Sequence, residues 1–187
     1  MPPTSQQAVA ETRAWVERIV IGLNLCPFAK AVQVKGQVRY VATGAEDPDA
    51  LLGALCDELS ALAAADPGVI DTTLLIHPRV LADFDDYNDF LDAADAAVRS
   101  LGLDGVLQLA SFHPDYRFAG TEPDDVTNAT NRSPFPMLHL LREQSIERAV
   151  AAFAQPEAIY EENMRTLEAL GAEGFAALRA RCRDDAG

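Results

Sequence analysis

Lysine is nearly missing from this chain: Lys30 and Lys35 are the only two among 187 residues, and the other cations are arginines. With 29 acidic against 15 basic residues, the formal charge is −14, and no basic run occurs. A face that neutralises the phosphates of a duplex is therefore not expected, so nucleic acid is set aside as a partner. The preference for arginine either reflects the codon usage of a GC-rich genome or serves planar, bidentate capture of carboxylate and phosphate. Cysteine is scarce as well. Cys26, Cys56 and Cys182 are odd in number, widely spaced and form no CxxC pair. That excludes a disulfide scaffold and a zinc ribbon, and it leads us to expect a reducing, cytoplasmic setting. No apolar run approaches the ~18 residues a membrane-crossing helix needs, so no membrane partner is expected. Residues 1–7 lack the basic-then-apolar pattern of a secretory leader. A GxGxxG turn, a P-loop, a GxSxG elbow and a lipidation signal are all missing, which argues against the common nucleotide sites and serine hydrolases.

What is present is a hydrophobic content of 49%, ordinary for a globular core, at a length that fits one domain spanning 1–187. Residues 6–25 read as an amphipathic helix ended by Pro27, giving an N-terminal helical segment over 1–25. Residues 38–42 read as a strand. Asp47 and Pro48 then open a helix through Leu51, Leu55, Leu59 and Leu62 that stops near Asp66-Pro67-Gly68. Residues 72–76 read as a buried strand, 83–101 as a helix closed by Gly102, and 106–112 as a third strand. The expected fold class is therefore α/β: a small parallel βαβαβ sheet over 33–114, flanked by helices. Further strands are possible at 33–37 or 116–119. Residues 115–136 form a long polar loop containing Tyr116, Phe118 and Phe135, and a segment of this length usually carries function. A C-terminal helical pair is expected over 137–187, with helices at 137–154 and 156–183.

Two of the strands end alike, in Leu-Leu-Ile-His77-Pro78 and Ala-Ser-Phe-His113-Pro114. If both run parallel in one sheet, both imidazoles emerge at its carboxyl edge, where open α/β sheets bind ligands. Histidines at strand ends also commonly do no more than hydrogen-bond nearby backbone. His113 and His77 are the candidate proton carriers. Cys26 is a candidate nucleophile beside a histidine. Its place after a helix C-terminus would raise its pKa, which suits a packed thiol or a metal ligand equally. Within the expected helix from 137, His139 and Glu143 lie four apart on one face. His77, His113, His139 and Glu143 are thus a candidate ligand set for a divalent metal such as zinc, and His139 with Glu143 is alternatively a surface pair. Arg117, Arg132 and Arg142, with Asn131 and Ser133, are candidates to hold an anionic substrate. The arginines equally suit pairing with Asp115, Glu122, Asp124 and Asp125.

Three blocks recur together: Leu-Asn-Leu-Cys-Pro-Phe-Ala over 23–29, His77-Pro78 followed by Asp-Phe-x-x-Tyr-Asn-x-Phe-Leu over 83–91, and a third run over 112–143. The third contains Phe-His-Pro-x-Tyr-x-Phe, Thr-Asn-Arg-Ser-Pro-Phe-Pro and His-Leu-Leu-Arg-Glu. This pattern resembles the bacterial and plastid family catalogued as domain of unknown function 1415. The resemblance spans nearly the whole chain and implies a complete family member, but it brings no activity. From the residues themselves the expectation is an enzyme acting on a small anionic metabolite, with or without metal assistance, at a site built from His77, His113 and loop 115–136. The alternatives are a non-catalytic module that binds a metal or ligand, or a protein-interaction module using the final helices.

Overall fold

Local signals set the ends of most helices. Thr4 opens α1 (Ser5–Trp15) with a capping box: its hydroxyl accepts from the Gln7 N–H at 3.2 Å, and Gln7 Oε1 accepts from the Thr4 N–H at 3.0 Å. The helix continues as a π-helical stretch, Val16–Ile21, and the chain turns away at Asn24, whose φ is 54°. A short α2 (Ala29–Val34) follows, in place of a strand at 33–37. Asp47 caps α3 (Pro48–Ala64), and Asp83 caps α4 (Phe84–Ser100). Gly102, at φ 69°, ends α4 as expected.

The computed structural model describes residues 3–187, so the first two residues of the expected segment 1–25 lie outside it. Its sheet contains β1 (Val38–Ala42), β2 (Thr72–Ile76), β3 (Leu107–Phe112) and β4 (Met137–Arg142), in the order β1-β2-β4-β3. β1 and β2 are parallel, and β4 runs antiparallel to both β2 and β3. The architecture is mixed α/β, which corrects the expected all-parallel sheet. The three expected strands share one direction, but β4 lies between two of them. β4 stands where a helix over 137–154 was expected. Only α5 (Glu143–Ala151) remains of that helix, ahead of α6 (Ala158–Ala186). The physical reason is that Met-Leu-His-Leu-Leu-Arg is too short and too uniformly apolar to show a period. Placed between β2 and β3, its backbone is paired on both sides.

Alternation along the strands sorts side chains into two layers. Leu75, Leu107, Leu138 and Leu140 pack with Leu55 and Leu59 of α3 and Tyr87 and Phe90 of α4. Leu74, Ile76 and Met137 pack on the other face with Trp15, Ile19, Leu167 and Phe175. Loop 115–136 contains a 3-10 turn, Val126–Asn131, and no strand at 116–119. The buried Asn128 amide binds the loop together, accepting from Phe118 N–H at 3.0 Å and Thr121 Oγ1 at 2.7 Å and donating to Glu122 O at 2.9 Å. Among the described residues no helix is long and apolar enough to cross a membrane.

Candidate functional site

Because β2 and β3 are parallel, His77 and His113 do leave the sheet at one edge, with the start of β4 between them. Their backbones tie into the loop leading to β4: His77 N–H donates to Pro136 O at 3.0 Å and His113 N–H to Asn131 O at 3.2 Å. The rings turn to the α4 layer and flank Tyr87, with centroids 5.8 and 5.1 Å away. Tyr87 donates to Met137 O at 2.8 Å and accepts from Phe112 N–H at 3.1 Å, linking the ends of β4 and β3.

Both imidazoles are engaged with backbone and have no exposed surface. Asp115 N–H donates to His113 Nδ1 at 3.0 Å, so Nε2 carries the proton and donates to Leu81 O at 3.2 Å. His77 Nδ1 lies 3.0 Å from Val80 O, and its buried Nε2 has no partner among the described residues. Together they pin the β2–α4 connection, where Leu81 takes φ 57°. Burial pulls His77 down to about 4 and lowers His113 as well, so both are neutral near pH 7.

The residues expected to complete this edge are placed elsewhere. Arg117 pairs with Asp85 at 2.7 Å and lies over the Phe84 ring. Arg132 donates to the carbonyls of Tyr116 and Pro123. Asn131 Nδ2 donates to Ser111 O at 3.0 Å, and the buried Ser133 hydroxyl to Phe135 O at 2.6 Å. Arg142 lies at the opposite end of the sheet, donating to the carbonyls of Leu62, Ala65 and Ile70 at 2.7, 2.8 and 3.0 Å. The expected anion clamp is therefore not assembled. His139 is a strand residue facing the layer of Trp15, and Glu143 is the first residue of α5, so the helical His139–Glu143 pair does not form. His77, His113, His139 and Glu143 do not converge. Among the described residues no three His, Cys, Asp or Glu side chains are grouped to hold a metal.

A cavity of about 640 Å³ opens on the other face of the sheet. Thr72, Leu74, Ala110, Phe112 and His139 form its floor, and Val16 and Val20 of the π-helical stretch form one wall. α1 and α6 cover the carboxyl end of this face. The other end is flanked by α2 and α5, neither of which has a fully buried residue. The cavity lies between these two short helices, with Phe28 and Phe153 in edge-to-face contact at its rim, 5.7 Å between centroids. Its lining is predominantly apolar.

A polar pair on the floor, Thr72 and His139, interrupts that lining, and Asp71, Gln108, Arg142 and Ser145 add polar groups to it. The Thr72 hydroxyl donates to Leu140 O at 2.7 Å, so His139 Nε2 carries the hydrogen and donates to Thr72 Oγ1 at 2.6 Å. Burial pulls His139 down to about 4, yet the ring keeps accessible surface because it faces the cavity. Cys26 also lines the cavity, away from His77 and His113, and burial pushes its thiol pKa up. Its assignment as a nucleophile activated by those histidines is not supported. Sequence reading missed Thr72 and Gln108 as cavity residues. The one signal available was a lone histidine inside an otherwise apolar run.

No curated protein and no solved structure shows significant similarity to the chain. The family model described as "Protein of unknown function (DUF1415)" matches residues 7–177. The resemblance read from the three sequence blocks is thereby established, and the chain belongs to the DUF1415 family.

Proposed function

We propose that this protein binds a small, largely apolar molecule in the cavity between the sheet, the π-helical stretch, α2 and α5. The observation that carries this reading is the cavity itself: about 640 Å³ and predominantly apolar, with a few polar side chains, among them Thr72 and His139 on its floor. Small-molecule sites typically have this size and this division of labour. Of the functions the sequence left open, the geometry favours the ligand-binding module over an anion-processing enzyme at the carboxyl edge. His77 and His113 are enclosed there, and the arginines are engaged with backbone and carboxylate partners. The three unpaired thiols support a reducing, cytoplasmic setting.

The test is a fluorescence titration with N-phenyl-1-naphthylamine, a neutral apolar probe. Wild-type protein should show saturable enhancement at one probe per chain. Ala110→Phe, which fills the cavity floor, should abolish the enhancement while the thermal transition is retained. Absence of saturable binding in the wild type, or equal binding by the variant, would overturn the reading. Binding that weakens as protein concentration rises would give the cavity to a second copy of the chain instead.

A further inference from the structure

We infer that the molecule held in this cavity is uncharged and donates a hydrogen bond to His139 Nδ1, which makes it an alcohol, a phenol or an N–H heterocycle rather than a carboxylate or phosphate. This inference rests on the cavity being the ligand site and specifies the chemistry of its occupant.

The polar groups of the cavity are few enough to follow one by one. The Thr72 hydroxyl proton is directed to Leu140 O, and its oxygen accepts from His139 Nε2. That chain of bonds fixes the imidazole tautomer, because a neutral ring with hydrogen on Nε2 has only a lone pair on Nδ1. Among the described residues nothing hydrogen-bonds Nδ1. An acceptor on the floor of a predominantly apolar cavity calls for a donor, and leaving it unsatisfied after a ligand displaces water carries a penalty.

The charges point the same way. Among the described residues no lysine lines the cavity, and the only arginine that does is Arg142, whose Nε and Nη2 donate to three backbone carbonyls at the end of α3 and the turn after it. Asp71 lies at the same end, accepting from the Ser145 hydroxyl at 2.6 Å, and would repel an anion. Gln108 brings only a neutral amide. An anion entering here would meet Arg142 only beside the Asp71 carboxylate, so the cost of losing its water would be poorly offset.

The experiment compares three probes of one shape at pH 7: 1-naphthol, 1-methoxynaphthalene and 1-naphthoate, each displacing N-phenyl-1-naphthylamine. We expect 1-naphthol to bind about three- to tenfold tighter than 1-methoxynaphthalene, the worth of one hydrogen bond, and 1-naphthoate to bind weakest. In His139→Phe the advantage of 1-naphthol over its methyl ether should vanish while the ether still binds. Thr72→Val, which releases the tautomer, should narrow the same ratio and serves if His139→Phe fails to fold. Tighter binding of 1-naphthoate, or a naphthol advantage that survives both substitutions, would overturn the inference and leave the cavity as a binding site. Failure of all three probes, with N-phenyl-1-naphthylamine also unbound, would overturn the binding function itself.

Discussion

Tyr87 joins more of the carboxyl edge than either histidine that frames it. Its hydroxyl links the ends of β3 and β4 at 3.1 and 2.8 Å, and its ring fills the space between the two imidazoles. Tyr87→Phe keeps the ring and leaves Phe112 N–H and Met137 O without that partner in a buried place. We expect a loss of about 1–3 kcal/mol, read as a lower urea midpoint at unchanged slope. Arg142 plays a comparable part at the far end, where one guanidinium serves three carbonyls. Lysine cannot reproduce that planar fork. Arg142→Lys should cost about 1–2 kcal/mol, roughly the net worth of one to two hydrogen bonds, by the same measurement. At this scale the sequence identified His77, His113, Arg117, Arg132 and Arg142 as noteworthy, but it could not assign their partners. A histidine that pins a loop and one that transfers a proton have the same letter, and only the position of Val80 O and Leu81 O distinguishes them.

At the scale of elements, α2 and α5 are the least anchored parts of the cavity wall. Each is short, and each turns apolar residues such as Val32 and Ile146 toward a space that is not filled by protein. Isolated helices of this length are not stable on propensity alone and depend on what they pack against. Amide hydrogen exchange should therefore be fastest among the helices in Ala29–Val34 and Glu143–Ala151. It should slow there, and little elsewhere, when N-phenyl-1-naphthylamine binds. Filling the floor by Ala110→Phe should mimic the ligand and raise stability by about 1 kcal/mol. The helices the sequence revealed were those with long-range periodicity or clear caps, α1, α3, α4 and α6, and it revealed the strands β1, β2 and β3 as well. β4 was not legible, because a six-residue, mostly apolar run presents no alternation, and the choice of strand over helix was made by the open position between β2 and β3.

For the molecule as a whole, the three histidines make stability depend on pH in a predictable direction. All three have lowered pKa values in the fold, His77 and His139 to about 4, because burial disfavours the charged ring. Below the ordinary value of 6.5 the unfolded chain takes up protons that the folded chain does not. For His77 and His139 the stabilising contribution is therefore complete above about pH 6.5 and is lost as pH falls toward 4, and His113 acts in the same direction. His77 and His139 each contribute a slope of up to about 1.4 kcal/mol per pH unit in that window. The −14 charge opposes this, since protonating carboxylates relieves repulsion. The difference between wild type and His139→Phe separates the two effects. Urea unfolding from pH 7 to 4.5 should fall less steeply in the variant, and identical profiles would refute the buried, neutral state of His139.

The sequence by itself determined the charge, the family, the helix caps, the three strands that share one direction and the arrival of His77 and His113 at one edge, because each follows from local chemistry or from the direction in which a short crossover returns. The tertiary structure alone decided that β4 enters the sheet, which face each histidine looks toward, which arginines are already bound, and where a cavity remains. Those outcomes depend on residues far apart in the chain competing for the same backbone partners and the same space, and no stretch of sequence contains both competitors.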